Sequence, residues 1–317
     1  MSKLSIIIPT NRIGGLDILF DSLEQQSTSD FELILVDNIY RYRKDVVADM
    51  AKRYTFDFLH IPPREDPFPH VAYCQTMNTG LVHARHPFVL YLCDYVWLGK
   101  KTVEKHLGYQ ACYPAPLLAD FAYTTLPSLK SSFTPYVHEV GPEVCKDRHT
   151  SSLNEVSRRY HADLEAGKLR DLLWSIFSDS PRSDREVWDM GTTHTHYKNT
   201  SEGEFPDYNY CCFKNESFPT ELMLTMNGHD EDYDKSHAWQ DSEFSYRLRH
   251  MGIKWHNLAR YEGEARCMNP RDVLNIKVMD EPFGYNEKLC NVTKRADKQV
   301  PVNPHLDLRQ MRAEAIG

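Results

Sequence analysis

Four places along the chain carry polar side chains where ordinary packing would not put them. Thr10 and Asn11 follow the apolar run LSIIIP (Leu4–Pro9), Asp37 and Asn38 follow FELILV, and Asp94 stands alone among apolar and aromatic residues in FVLYLCDYVWL. A carboxylate buried without a partner costs several kcal/mol, so Asp94 calls for a donor, a cation or a bound ligand. The fourth place is NGHDEDYD (Asn227–Asp234), followed by Trp239, Gln240 and Asp241. Asp230, Glu231, Asp232 and Asp234 repel one another unless they are solvated or bound to something cationic or hydroxylated. A tryptophan beside a carboxylate offers an apolar face to a sugar ring and an acceptor to its hydroxyls. Each feature also has a plainer reading. Polar residues at strand ends form turns and caps, and Asp241 and Glu243 suit the first turn of any helix. Their joint occurrence at successive strand ends favours a site.

The elements that must position these groups are legible from periodicity. Leu4–Pro9, Phe31–Asp37, Phe56–Ile61 and Phe88–Cys93 read as strands; helices are expected around Leu16–Leu23, over Val46–Tyr54 and over Ala72–Ala84. Alternation of near-continuous apolar strands with helices predicts an α/β fold, a mostly parallel sheet covered on both faces. In such sheets ligands sit beyond the carboxyl ends of the strands, where the strand order reverses. From Asp241, the residues Phe244, Leu248 and Met251 predict the inward face of an amphipathic helix, with Arg247 and Arg249 on other faces. The chain divides into a first half (1–114), an inserted helical or loop region (115–205) with a helix over Leu169–Phe177, a second part of the same domain (206–270), and an extension (271–317). The end of that extension, HLDLRQMRAEAIG, reads as a short helix packing on the core or on a partner.

Composition narrows the classes. The chain has 317 residues, 41% hydrophobic, with a formal net charge of -8. That balance disfavours a broad phosphate-binding face and so nucleic acid as a partner. No apolar run reaches the roughly 20 residues of a membrane span, and MSKLSIIIPT lacks a signal-peptide core, so a cytoplasmic location is the expectation. The eight cysteines include no CxxC pair and are read as reduced, buried side chains. The sequons at Asn199, Asn215 and Asn291 are read as chance matches. His194 and His196, in a polar loop without acidic neighbours, are read as solvated and not as metal ligands.

At this point the residues resemble a known family. LSIIIPTNRIGGLDILFDSLEQQSTSDFELILVDN resembles the first βαβ unit of family 2-like glycosyltransferases of GT-A fold. NTGLVHARHPFVLYLCD resembles the segment leading to that family's metal-binding DxD strand, and NESFPTELMLTMNGHDEDYD with WQDSEFSYRLRHMGIKW resembles its acceptor-side block. The resemblance implies transfer of a sugar, with inversion, from a nucleotide-diphosphate donor, most often a UDP-sugar, to a hydroxyl of a glycan or similar acceptor. It implies a nucleotide pocket lined by Pro9, Thr10, Asn11, Asp37 and Asn38, with Asn78 near the donor sugar and Asp94 toward the diphosphate. It implies acceptor contacts from Trp239, Gln240, Asp230 and Glu231, and Asp241 as general base. A divalent cation, manganese or magnesium, would be held by Asp94.

The chain departs from that pattern in three places. Gln240-Asp241 stands where an acidic pair is usual, Cys93-Asp94-Tyr95 keeps one carboxylate of the DxD, and Ala265–Cys267 offers no histidine where many relatives supply one to the metal. These departures motivate the rival reading, a catalytically weakened protein of the same fold that binds nucleotide sugar or glycan. A dinucleotide-binding dehydrogenase is disfavoured, because PTNRIGG does not supply G-x-G-x-x-G.

Overall fold

The structure, a computed structural model, describes residues 3–10, 16–65, 72–94, 96–113, 116–118, 121–125, 192–195, 203–205, 213, 215–235, 240–253, 255–257, 265–267 and 302–317. The expected helix over Leu169–Phe177 and the residues Asn11, Tyr95, His196 and Trp239 lie outside these.

The apolar strands form as the sequence predicts, and they are covered on both sides. β1 (Leu4–Thr10) and β2 (Phe31–Asp37) are buried at every position. With β3 (Asp57–Ile61) and β4 (Phe88–Leu92) they pair in the order β3-β2-β1-β4, all parallel. Their connections are α1 (Leu16–Glu24), α2 (Tyr40–Ala51) and α3 (Tyr73–His83). Beyond β4 come β5 (Val96–Leu98), α4 (Thr102–Cys112), β6 (Leu117–Leu118), β7 (Phe121–Thr125), β8 (Thr192–Thr195), β9 (Gly203–Phe205) and β10 (Asn215–Pro219). Then follow α5 (Thr220–Thr225), a 3-10 turn (Glu231–Lys235), α6 (Gln240–His250), β11 (Trp255–Asn257), β12 (Ala265–Cys267) and α7 (Leu308–Ile316).

The main sheet continues past β4 as β10-β6-β11-β9, with β10 antiparallel to β4. Both described ends of the inserted region, β6 and β9, are therefore strands of that sheet. A second sheet has the order β5-β12-β7-β8.

Because side chains alternate across a strand, each strand feeds two cores. Ile6, Ile8, Leu33, Leu35, Leu90 and Leu92 pack on one face against Leu16, Leu19, Phe20 and Leu23 of α1. Ile7, Ile34, Val36, Val89 and Tyr91 pack on the other against Met77 and Leu81 of α3, Phe244 and Leu248 of α6, and Leu308 of α7. Burial of each such aliphatic side chain contributes about 2 kcal/mol. Helix α3 lies tight on β1, since a Cβ at Gly80 would run into the Ile7 side chain. The end of the extension forms a helix that packs on the core, as one of the two expectations had it, with Leu308 fully buried.

Two expectations need correcting. Helix α2 begins at Tyr40 and not at Val46, its first turns carrying polar residues that give no apolar period while Tyr40 packs edge-on against His60. Met251 is 41% exposed, because α6 ends at His250 and the chain reverses at Gly252 (φ 69), which turns Ile253 inward instead. Arg247, on another face of α6 as expected, donates to carbonyls of the preceding loop. Asn215, a nominal sequon, is buried in β10 and bonds the ring of His106.

His106 is fully buried, with Nδ1 2.8 Å from Ser217 Oγ and Nε2 3.0 Å from Asn215 Oδ1; burial lowers its pKa to about 4. The folded state thus resists a proton that the unfolded chain takes up near pH 6.5, so this contribution to stability is present above about pH 6.5 and is lost as pH falls toward 4. Urea unfolding at pH 7 and pH 4.5 should show a loss on acidification that is smaller in His106→Gln than in wild type, by on the order of 2 kcal/mol.

Candidate functional site

The strand order reverses at β1: β2 lies on one side of it and β4 on the other, which opens a crevice at their carboxyl ends. Register decides which residues meet there. Thr10 pairs directly with Asp37, and the β1–β4 ladder runs from Leu4↔Phe88 to Ile7↔Tyr91, an offset that brings Thr10 level with Asp94. Asp37, Thr10 and Asp94 therefore stand in a row across adjacent strands, about 4.8 Å per step. Thr10 Oγ1 donates to Asp94 Oδ2 at 2.9 Å, so the lone carboxylate of FVLYLCDYVWL has a hydrogen-bond partner while lying 4% exposed.

The neighbouring groups are fixed as firmly. Asp37 accepts from the backbone N–H of Ile39 at 2.9 Å and lies 2.9 Å from His60 Nε2. Asn38 donates to the Thr10 carbonyl through its backbone at 2.9 Å and its side chain at 3.2 Å, and Thr76 Oγ1 of α3 donates to Asn38 Oδ1. Pro9 pairs with Val36 inside the sheet.

The acidic segment is placed on the opposite side of α3, where its carboxylates are dealt with one by one. Glu231 takes a bidentate pair from Arg64, at 3.1 and 2.7 Å, and a third bond from Asn78 at 2.9 Å. Asp234 accepts from the backbone N–H groups of Cys74 and Gln75 at 2.7 and 2.8 Å, so it caps the amino end of α3 from 160 residues away. Burial pushes its carboxyl up to about 7 against those two bonds. Asp232 is exposed. Asp230 remains partly buried, its pKa raised to about 6 first by burial and then by the charge of Glu243.

Asn78, expected beside the donor sugar, lies fully buried beneath this loop, with its amide committed to His229 N, His229 O and Glu231. Asp241 opens α6 in the first turn, its carboxylate accepting from Ser242 N at 2.9 Å; Gln240 precedes it. Glu243, two residues on, is 2% exposed in its side chain and is paired to Arg247 at 2.6 Å. Helix α6 grips the loop through Arg247, which donates to the carbonyls of Met226 and Gly228, both at 2.9 Å, and through Phe244, whose ring stacks on His229.

Around Asp94 the second sheet brings β12 beside β5, with Cys267 opposite Val96. The segment Ala265–Cys267 thus arrives beside the strand that follows Asp94. Among the described residues no group of three or more His, Cys, Asp and Glu side chains could hold a metal ion. His194 sits in β8 opposite Tyr123, and the ring of His256 stacks on Tyr113.

No protein-family model matches the chain, and no curated protein sequence matches it. Solved structures do. Residues 1–349 of TarS from S. aureus superpose with a TM-score of 0.55 at 12% identity, covering 99% of this chain and 70% of that one. The same TarS residues in complex with UDP give 0.55 at 13% identity with the same coverage, and a further TarS crystal structure gives 0.54 at 12%, covering 99% of this chain and 43% of that one. The fold is of the GT-A type. Among the described residues of this GT-A fold, no helix is long and apolar enough to cross a membrane.

Sequence reasoning missed Arg64, Asp234, Arg247 and Asn303 as supports of the GT-A fold's acidic loop. Nothing in the local sequence marks Arg64 or Asn303, since each acts on a segment distant in the chain; Asp234 was legible in the acidic run and Arg247 on the predicted helix, but not their partners. Gly228 was legible, in the Asn-Gly turn. It has φ +70, and a Cβ there would strike Asn78 Oδ1, whereas Gly252, with φ +69, faces open space. Both Gly→Ala changes carry the left-handed penalty of about 1–2 kcal/mol. Denaturant unfolding should show Gly228→Ala costing at least about 2 kcal/mol more than Gly252→Ala, because only the first also breaks the Asn78 bonds.

Proposed function

We propose that the protein is a glycosyltransferase that moves a sugar from a nucleotide-diphosphate donor, a UDP-sugar, to an acceptor hydroxyl. The observation that carries this reading is the row Asp37–Thr10–Asp94 at the switch point of a GT-A sheet, a fold shared with TarS, which is known in complex with UDP. Asp37, oriented by His60 and Ile39 N, accepts from the base or ribose; Pro9, Thr10, Asn11 and Asn38 complete that wall. Asp94 faces the diphosphate.

Asp241 is the general base. A hydroxyl is a poor nucleophile, and a carboxylate on the first turn of a packed helix is held within reach of the proton it must take as the hydroxyl attacks the anomeric carbon. Direct attack with departure of the diphosphate inverts the anomeric configuration. Trp239, Gln240 and Asp230 bind the acceptor, whereas Glu231 and Asn78 act by holding the loop. Manganese or magnesium enters in one form only. With a single carboxylate and no protein cage among the described residues, the donor set suits an ion carried mainly by the diphosphate with Asp94 as its protein ligand. Such an ion would neutralise charge on the leaving group.

The test uses radiolabelled UDP-hexoses with p-nitrophenyl glycosides as acceptors, and calorimetry for UDP. Asp241→Asn should lower kcat by at least about 100-fold and leave UDP affinity within about twofold. Equal turnover in variant and wild type would remove Asp241 as base, and UDP binding with no turnover in either would favour the binding-protein reading.

Asp230 adds a pH dependence. Protonated below about pH 6 and ionised above it, it accepts from acceptor hydroxyls more strongly in the second form, where the bond is charge-assisted. Acceptor KM should therefore fall as pH rises through 6, and Asp230→Asn should flatten that step.

A further inference from the structure

The loop Met226–Glu231 is tied down from behind by residues that the proposed chemistry does not use. Asn303 lies 72 to 76 residues away in sequence and is 3% exposed. Its single amide makes three bonds to the loop. Nδ2 donates to the carbonyls of Asn227 and His229, at 2.9 and 2.8 Å, and Oδ1 accepts from Glu231 N at 2.9 Å. Two of those contacts flank Asp230 on either side.

The tie is reciprocal. Asn227 Nδ2 donates to the carbonyls of Val302, Asn303 and Leu306, and its Oδ1 accepts from Leu308 N. Both asparagines sit in the left-handed region, at φ 52 and φ 47, with Gly228 at φ 70 between Asn227 and His229. Asparagine tolerates that backbone where most residues resist it, and such strain persists only when surrounding bonds over-determine it. The segment is anchored in turn by the buried side chain of Leu308 and by Arg312 Nε, which donates to the Ala84 carbonyl at 2.7 Å.

A loop that presents a substrate-binding carboxylate must hold it to within about half an ångström, and a free loop of this length would not. We propose that Val302–Leu308 is a positioning clasp for the acceptor-side loop, and that Asn303 is a positioning residue for glycosyl transfer, fixing Asp230 without touching donor or acceptor. This rests on the glycosyltransferase reading. It adds that the carboxyl-terminal segment is part of the working site and sets acceptor use, while the donor crevice at Thr10 and Asp94 stands apart from it.

The variant of choice is Asn303→Gly, since glycine accepts the left-handed backbone and removes only the three bonds. Asn303→Asp is its partner. It is isosteric and keeps the acceptor for Glu231 N, but it turns an oxygen toward two carbonyls. In the same UDP-hexose and p-nitrophenyl glycoside assay, both variants should raise acceptor KM at least tenfold while UDP affinity by calorimetry stays within twofold. Amide exchange should quicken in 226–231 and stay slow in β1, β2 and β4. Arg309→Ala, which removes the surface pair with Glu221 and a 3.4 Å bond to Thr225, should match wild type.

Wild-type acceptor KM in both variants, with wild type active, overturns the positioning role alone. A wild-type-like Asn303→Asp beside an impaired Asn303→Gly reduces the clasp to packing and overturns it too, as does a parallel loss of UDP affinity and sheet protection in both. A wild type that binds UDP yet transfers to none of the acceptors sinks the function itself and the positioning role with it.

Discussion

The parallel pairing of β1 with β4 is the constraint on which the rest depends. It makes β1 the strand from which the order departs in both directions, and it sets the offset that carries Asp94 to the side of Thr10. A slip of one residue would turn every side chain of β4 to the opposite face, sending Tyr91 and Val89 into the core that Leu90 and Leu92 now fill. Two apolar cores therefore guard the register of one polar row. The energetics are those of ordinary burial, and the geometry of the crevice follows from them.

The acid-rich segment illustrates how a fold disposes of charge. Four carboxylates in one short stretch cannot all remain ionised side by side at low cost, and here they are drawn apart. Glu231 goes to Arg64, Asp234 to the amino end of α3, and Asp232 to solvent, which leaves Asp230 as the partly buried member. The bonds of Glu231 and Asp234 also tie the loop down. Together α3, α6 and Val302–Leu308 hold it.

The polar residues at the strand ends and the acidic loop both bond to α3. Its amino end is capped by Asp234, its middle carries Thr76 toward Asn38 on one side and Asn78 toward His229 on the other, and Gly80 lets it lie flat on β1. One helix of eleven residues thus sets the distance between the two halves of the site. Both groups bond to it, through Thr76 on one side and through Asn78 and its amino end on the other.

The sequence by itself determined the strands, most of the helices and the polar residues at strand ends, because period and apolar content are local properties that burial on two faces makes explicit. It also marked Asn227-Gly228 and the acidic run as special, since dense like charge and a left-handed turn are costly anywhere. Tertiary structure alone decided how the carboxylates of that run are paired. Arg64, Asn78, Arg247 and Asn303 reach the loop from distant parts of the chain, and no spacing encodes a hydrogen bond between residues 72 or 151 positions apart. Asp94 received its partner in the same way: the strand was legible, but the neighbour Thr10 comes from β1, and only the packing of two cores against one sheet brings it there.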